Sequence, residues 1–171
     1  RAGILAISLS LAAMLFYIWI RFEWQFSLGA IIAIIHDVVI TLGIFSLLSY
    51  EINLSIVAAV LTIVGYSMND TVVIFDRIRE NLRKYSKISI SEISNISTNE
   101  TLSRTLITSA TTLLALLSIF IFGGPILKGF SFAMIIGVII GTFSSIFVAT
   151  PILKYMKVNQ KTILKEDAEI N

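Results

Sequence analysis

Asp70 sits within "GYSMNDTVVIFDRIREN", residues 65 to 81, where a run apolar enough to enter a bilayer meets a charge-dense segment. A carboxylate at that depth costs on the order of 2.5 to 3.5 kcal/mol on insertion scales, so it calls for a proton, a partner or a water-filled cavity. Counting back from Asp76 at 1.5 Å per residue, Asp70 lies roughly 9 Å inside the cytoplasmic end of its helix. His36 and Asp37, in the preceding apolar run, fall about 12 to 13 Å from the same side. Arg104 enters the next run from that side too, so four ionisable groups share one layer. The chemistry open to such a layer is proton transfer. Withdrawal from water favours the neutral carboxylic acid and a nearby guanidinium favours the carboxylate, so a small change of geometry between Asp70 and Arg104 switches the protonation state. One charge moved through the full potential is worth about 2.3 kcal/mol per 100 mV, enough to bias a conformational equilibrium.

Each group also has a plainer reading. Asp70 can be a structural hydrogen-bonding residue between helices, and Arg104 an interfacial side chain that snorkels to the cytoplasm. His36 can be a packed neutral imidazole. Asp37 can be helix glue or a relay member. Asp76, beside Arg77, is most simply an interfacial charge.

The elements that must hold these groups follow from composition. Of 171 residues, 56% are hydrophobic and 14% charged, and the mean hydropathy is +0.90, far from the range of soluble domains. A bilayer core takes about 20 apolar residues per helix, and stretches near 2–20, 28–50, 54–76, 102–122 and 130–152 qualify as spans. Pro125 and Pro151 stand at their edges as breakers. The reading is an all-α polytopic membrane protein, with a transmembrane domain over 1–157, a cytoplasmic loop over 77–101 and a cytoplasmic tail over 158–171. Arg21, Arg77, Arg79, Arg83, Lys84, Lys87, Arg104, Lys154, Lys157, Lys161 and Lys165 fall on one side, Arg1 and Lys128 on the other. The positive-inside rule makes the first side and the C-terminus cytoplasmic. An odd number of spans with the N-terminus outside implies further sequence upstream.

Cysteine is absent and histidine occurs once, which removes thiolate chemistry and multi-histidine metal sites from this chain. The basic residues cluster at span ends, where topology accounts for them, so nucleic acid is not a partner while the lipid bilayer is.

The third helix is expected to turn Thr62, Tyr66, Asn69, Asp70 and Asp76 to one broad face. The fourth answers with Thr101, Arg104, Thr108, Thr111, Thr112 and Ser118, and the two stripes are expected to face each other. In the loop, Ile90, Ile93 and Ile96 suggest a short amphipathic helix on the membrane surface, and Ser97 with Glu100 has capping-box spacing for the fourth helix. Ala133, Gly137, Gly141, Ser145 and Ala149 recur at four-residue spacing in the last span, a smooth ridge for close helix packing.

"GYSMNDTVVIFDRIREN" closely resembles the signature of the SecF family of bacterial protein-export membrane proteins, within SecD/SecF and the RND superfamily. "RFEWQFSLGAIIAIIHDVVITLG" and "TLSRTLITSATTLLALLSIFIFGG" are similar to the same family, in order and at the expected spacing. The resemblance implies five of the six helices of an RND-type bundle, with the first helix and a periplasmic domain absent. It implies an accessory subunit of the Sec machinery, not an enzyme, that uses the proton-motive force to promote preprotein translocation across the inner membrane. Protons are then the coupling ion and no other cofactor is implied. The implied partners are SecD, the SecYEG channel, YajC, and exported preproteins through the periplasmic domain. Carried over by motif, the relay falls on Asp70 and Arg104. Asn69 and Thr71 flank the acid, His36 and Asp37 match an "HD" motif, and Tyr66 and Thr108 are further polar support. Two alternatives stay open: an RND-type proton-coupled exporter of lipids or small molecules, and a passive scaffold whose polar stripes only hold helices together.

Overall fold

The computed structural model describes residues 2–50, 53–85 and 87–163, without the side chains at 2–4, 6, 7, 10 and 11. Helices α1 (Ala2–Arg21), α2 (Trp24–Leu47), α3 (Leu54–Lys84), α4 (Ile90–Phe122) and α5 (Gly124–Ser144) follow one another, and α5 continues through a π-helical turn, Ser145–Ala149, into α6 (Thr150–Tyr155). Among the described residues, α2, α3, α4 and the continuous helix Gly124–Tyr155 are long and apolar enough to cross a membrane, and α1 contributes the apolar stretch Ala12–Arg21. The chain is a multi-pass membrane protein.

The expected spans fall on these helices except for residues 48–50, which form a turn after α2, and two helices reach well beyond them. The segment expected as a cytoplasmic loop over 77–101 is helical except around 85–89. Ile90, Ile93 and Ile96 therefore belong to the first turns of α4 and not to a separate surface helix. Its cap is Ser89, whose hydroxyl accepts from the Glu92 N–H at 3.3 Å, while Ser97 is buried in mid-helix. Ser89 and Glu92 carry the same capping-box spacing as Ser97 and Glu100, one of two equal signals in the sequence. At the start of α3, Asn53 accepts from the Ile56 N–H at 3.1 Å. The α4–α5 corner is Gly123 followed by Gly124 at φ +75, a conformation that favours glycine.

Pro151 does not end the last helix. It has no N–H to give the preceding turn, the helix widens into the π turn, and the Thr150 hydroxyl donates to the Ser145 carbonyl at 2.9 Å. The expected tail, 158–171, is described as far as residue 163. Val158 and Ile163 are buried in one cluster with Leu82 and Ile93, so this stretch is part of the packed end of the bundle where α3 ends and α4 begins. Arg1, Lys165 and the remainder of the tail lie outside the described residues.

Helix α3 is the centre of the bundle and packs against α2, α4 and α5, whereas α1 packs chiefly on α2. The ridge expected in the last span faces α3. A Cβ added at Gly137 would come within 2.3 Å of Ile63, and one at Gly141 within 3.1 Å of Ser67. Near the α1–α2 turn Phe75 of α3 meets Phe26 with ring centroids 5.2 Å apart and Phe22 at 6.1 Å, both edge-on.

Overpacking of this kind typically costs about 1 to 3 kcal/mol. Gly137→Ala is therefore expected to lower the thermal unfolding midpoint in detergent. Adding Ile63→Ala, which removes the three atoms in the way, should recover part of the loss. An unchanged midpoint in the single variant would contradict the packing described.

Candidate functional site

Because α5 approaches α3 through glycines, its hydroxyls reach two buried carboxylates. Asp37, 1% exposed, stands where α2, α3 and α5 meet. Its Oδ2 accepts from Ser67 of α3 and from Ser144 of α5, the latter at 2.8 Å, and its Oδ1 lies 3.0 Å from His36 Nδ1. Both oxygens of this carboxylate thus have polar partners, which offsets the cost of burying an acid.

Asp70, 3% exposed, is placed differently. Its Oδ2 is buried and has no hydrogen-bond partner. The Thr142 side chain of α5 stands beside the carboxyl group. Thr142 is itself 2.7 Å from Ser109 Oγ of α4, which accepts from the Tyr66 hydroxyl at 3.3 Å. A chain of hydroxyls from α3, α4 and α5 thus ends beside an acid with one bare oxygen. Arg104 acts on Asp70 through its field, but among the described residues it makes no salt bridge, and its side chain is exposed on α4.

The remaining predicted residues are distributed around these two acids. Thr71 is buried beside Asp70 on α3. Asn69 is exposed and lines a crevice of about 280 Å3 between α1 and α3, with Met14, Tyr17 and Val72. Thr108 is half-buried and donates to the Arg104 carbonyl at 2.8 Å. Ser145 donates to the Thr142 carbonyl at 2.9 Å.

The stripe expected on α4 is rotated. The face that α4 buries carries Ser97, Thr101, Thr105, Ser109 and Leu116, and Thr111 and Ser118 are exposed with their hydroxyls turned back on their own helix at 2.9 Å. A helical Thr or Ser satisfies itself on the carbonyl four residues earlier, so polarity alone does not mark the inward face. The stripe on α3 also divides, since Thr62 is exposed and bonded to the Ala58 carbonyl. Thr105, Ser109, Ser67, Thr142 and Ser144 were missed. Thr101, Thr105 and Ser109, at strict four-residue spacing, were the available signal.

The second half of the signature forms a polar clamp at the α1–α2 turn and the start of α4. Both carboxylate oxygens of Asp76 accept from Arg21 Nη2, at 2.8 and 2.9 Å, and Arg79 reaches Glu23 Oε1 at 2.9 and 3.1 Å. These tie α3 to the α1–α2 turn. Toward α4, Arg77 donates to Glu100 at 2.6 Å, and Asn81 to Glu100 at 2.8 Å and to Ser97 at 2.9 Å. Asp76 is therefore more than an interfacial charge. The hydrogen bonds from Arg77 and then Asn81 hold the Glu100 carboxyl below its ordinary value of 4.5. A depressed carboxyl contributes stability that is present above its unfolded value and lost as pH falls through its folded one. Hydrogen-exchange protection at the α3–α4 junction, taken relative to the intrinsic rate at each pH, should accordingly be high at neutral pH and fall below about pH 4.5. Glu100→Gln should exchange faster at neutral pH and lose most of that acid response, and an identical acid response in the variant would assign it elsewhere.

With this geometry in view, comparison with known proteins is direct. The family model described as "Protein export membrane protein SecD/SecF, C-terminal" matches residues 1–159. The chain is 57% identical over 153 residues to a protein translocase subunit SecF of Rickettsia bellii, covering 90% of the chain and 50% of that protein. It is 51% identical over 160 residues to the SecF of Cereibacter sphaeroides, covering 94% and 49%. It therefore spans about half the length of the curated relatives it matches. Among solved structures, the crystal structure of SecDF, a translocon-associated membrane protein from Thermus thermophilus, superposes with a TM-score of 0.88 at 43% identity, over 92% of this chain and 22% of that one. SecDF in its super-membrane-facing form gives 0.82 at 42%, over 93% and 21%. Buried acids on adjacent helices, the signature that surrounds one of them and the matched fold agree: the chain belongs to the SecD/SecF family of protein-export membrane proteins, in its C-terminal membrane part.

Proposed function

We propose that this chain is the membrane part of an accessory subunit of Sec protein export, in which Asp70 takes up and releases the coupling proton and Arg104 is its electrostatic partner. The observation that carries the reading is the asymmetry between the two acids. Asp37 is fully hydrogen-bonded by three helices, whereas Asp70 keeps one buried oxygen bare in the field of an arginine that is not bonded to it. A buried carboxylate oxygen without a partner costs on the order of 1 to 3 kcal/mol or more. A proton, a water molecule or the approach of Arg104 relieves that cost, and each favours a different arrangement of α3, α4 and α5.

On this reading Arg104 is released when Asp70 is neutral and drawn in when it is ionised. Protons moving down the gradient thereby drive a conformational cycle with no covalent step. The hydroxyl chain Tyr66–Ser109–Thr142 supports the acid, and Asp37 with His36, Ser67 and Ser144 fixes the neighbouring helices. Partnership with SecD, with the SecYEG channel and with YajC follows from membership of the family, as do an inner-membrane location and a cytoplasmic C-terminus. The exported preprotein is met by parts of the full-length protein beyond this chain.

The test is proton-gradient-driven preprotein translocation in vesicles containing the full-length protein, SecD and the Sec channel. Asp70→Asn should abolish the gradient-dependent part while leaving assembly and ATP-driven translocation intact. If the gradient-dependent part survives, Asp70 is packing material and the coupling lies elsewhere.

A further inference from the structure

A cleft of about 280 Å3 opens at the cytoplasmic end between α4 and the last span, away from both acids. Ser91, Ser94, Asn95 and Thr98 line one wall from a single face of α4, and Phe147 and Lys154 are among the residues of the other. Ser94 is 7% exposed. Further along α4, the hydroxyls of Thr101, Thr108, Thr111, Thr112 and Ser118 are all bonded to carbonyls of their own helix. Among the described residues, the side chains of Ser91, Ser94, Asn95 and Thr98 have no such partner. A hydroxyl on a residue that is itself nine-tenths buried, which neither bonds back nor bonds across and opens on a cleft with three further free polar groups, is arranged for a ligand that accepts hydrogen bonds.

The charge and polarity of the walls define that ligand. Lys154 is the one charged residue in the lining, and Glu100 of α4 is already engaged by Arg77 and Asn81. Toward the bilayer the cleft becomes apolar at Phe147, which is 60% exposed and stacked on Phe143 with centroids 4.5 Å apart. Polar donors and one cation at the surface, above an exposed aromatic pair within the span, match a phosphate joined to a hydrocarbon chain. We propose that this cleft binds an anionic phospholipid, with its phosphate held by Lys154 and the Ser94, Asn95 and Thr98 donors and an acyl chain along Phe143 and Phe147.

The experiment uses the full-length protein assembled with SecD, delipidated in detergent and given equal amounts of phosphatidylglycerol and phosphatidylcholine with matched chains. Retained lipid is read by native mass spectrometry. Phosphatidylglycerol should be retained over phosphatidylcholine by roughly fivefold, the worth of one lysine at an anionic surface. Lys154→Gln should bring the two lipids to parity, and Ser94→Val with Asn95→Leu should reduce retention of both. The lipid-free melting temperature of each variant serves as the folding control, and Lys154→Gln, at an exposed position, is the variant that must pass it. Equal retention of the two lipids by the unmodified protein would overturn the proposal. So would a preference that Lys154→Gln leaves intact, or displacement of phosphatidylglycerol by millimolar inorganic phosphate, which would mark a site for the free ion.

Discussion

A carboxylate inside a bilayer must find its donors on neighbouring helices, because no water is offered by the hydrocarbon around it. Here that search succeeds because Gly137 and Gly141 give α5 no side chain of its own against Ile63 and Ser67 of α3, so the Ile63 side chain and the Ser67 backbone pack directly on the glycines. A methyl group at Gly137 pushes α5 outward, and the hydroxyls of Thr142 and Ser144, one and two turns further on, lose their reach to Asp70 and Asp37. Packing and chemistry are one constraint in this bundle. The small-residue ridge sets the distance, and the distance decides which polar groups are satisfied.

The two acids divide the consequences. Asp37 collects donors from α2, α3 and α5, so it stiffens the contact among those helices. Asp70 has Thr142 beside it and nothing on its Oδ2, so its surroundings are satisfied only if something moves or binds. Seven residues further along α3, Arg77 begins the clamp to α4 and, with Asp76 and Arg79, to the α1–α2 turn. The clamp holds the end of α3 to its neighbours, and Asp70 lies between it and the Gly123–Gly124 corner at the opposite end of α4.

Much of this was legible in the sequence. Apolar length gives the helices, and the acids at Asp37 and Asp70 inside apolar runs mark the two buried carboxylates. The four-residue repeat of small residues in the last span identifies its packing edge, though not which helix it meets. What the sequence concealed has two physical causes. Hydroxyl side chains satisfy themselves on their own helix, so Thr108, Thr111 and Ser118 look like an inward stripe while Thr105 and Ser109 form the buried one. Helices also outrun the bilayer when tertiary contacts continue beyond it. Asn81, Ser97 and Glu100 bond across the ends of α3 and α4, and this turns an expected loop into helix. Pro151 misled for a different reason, since the helix widens into the π turn Ser145–Ala149 just before it, with the Thr150 hydroxyl on the Ser145 carbonyl, and continues through the proline.

The central claim is that Asp70, and not Asp37, changes protonation, and infrared difference spectroscopy tests it most directly. Full-length protein reconstituted with SecD would be stepped between acidic and alkaline pH and the protonated-carboxyl stretch recorded. The account predicts a band that comes and goes with pH, is missing in Asp70→Asn and is retained in Asp37→Asn. A band that persists in Asp70→Asn, or disappears only in Asp37→Asn, would contradict it.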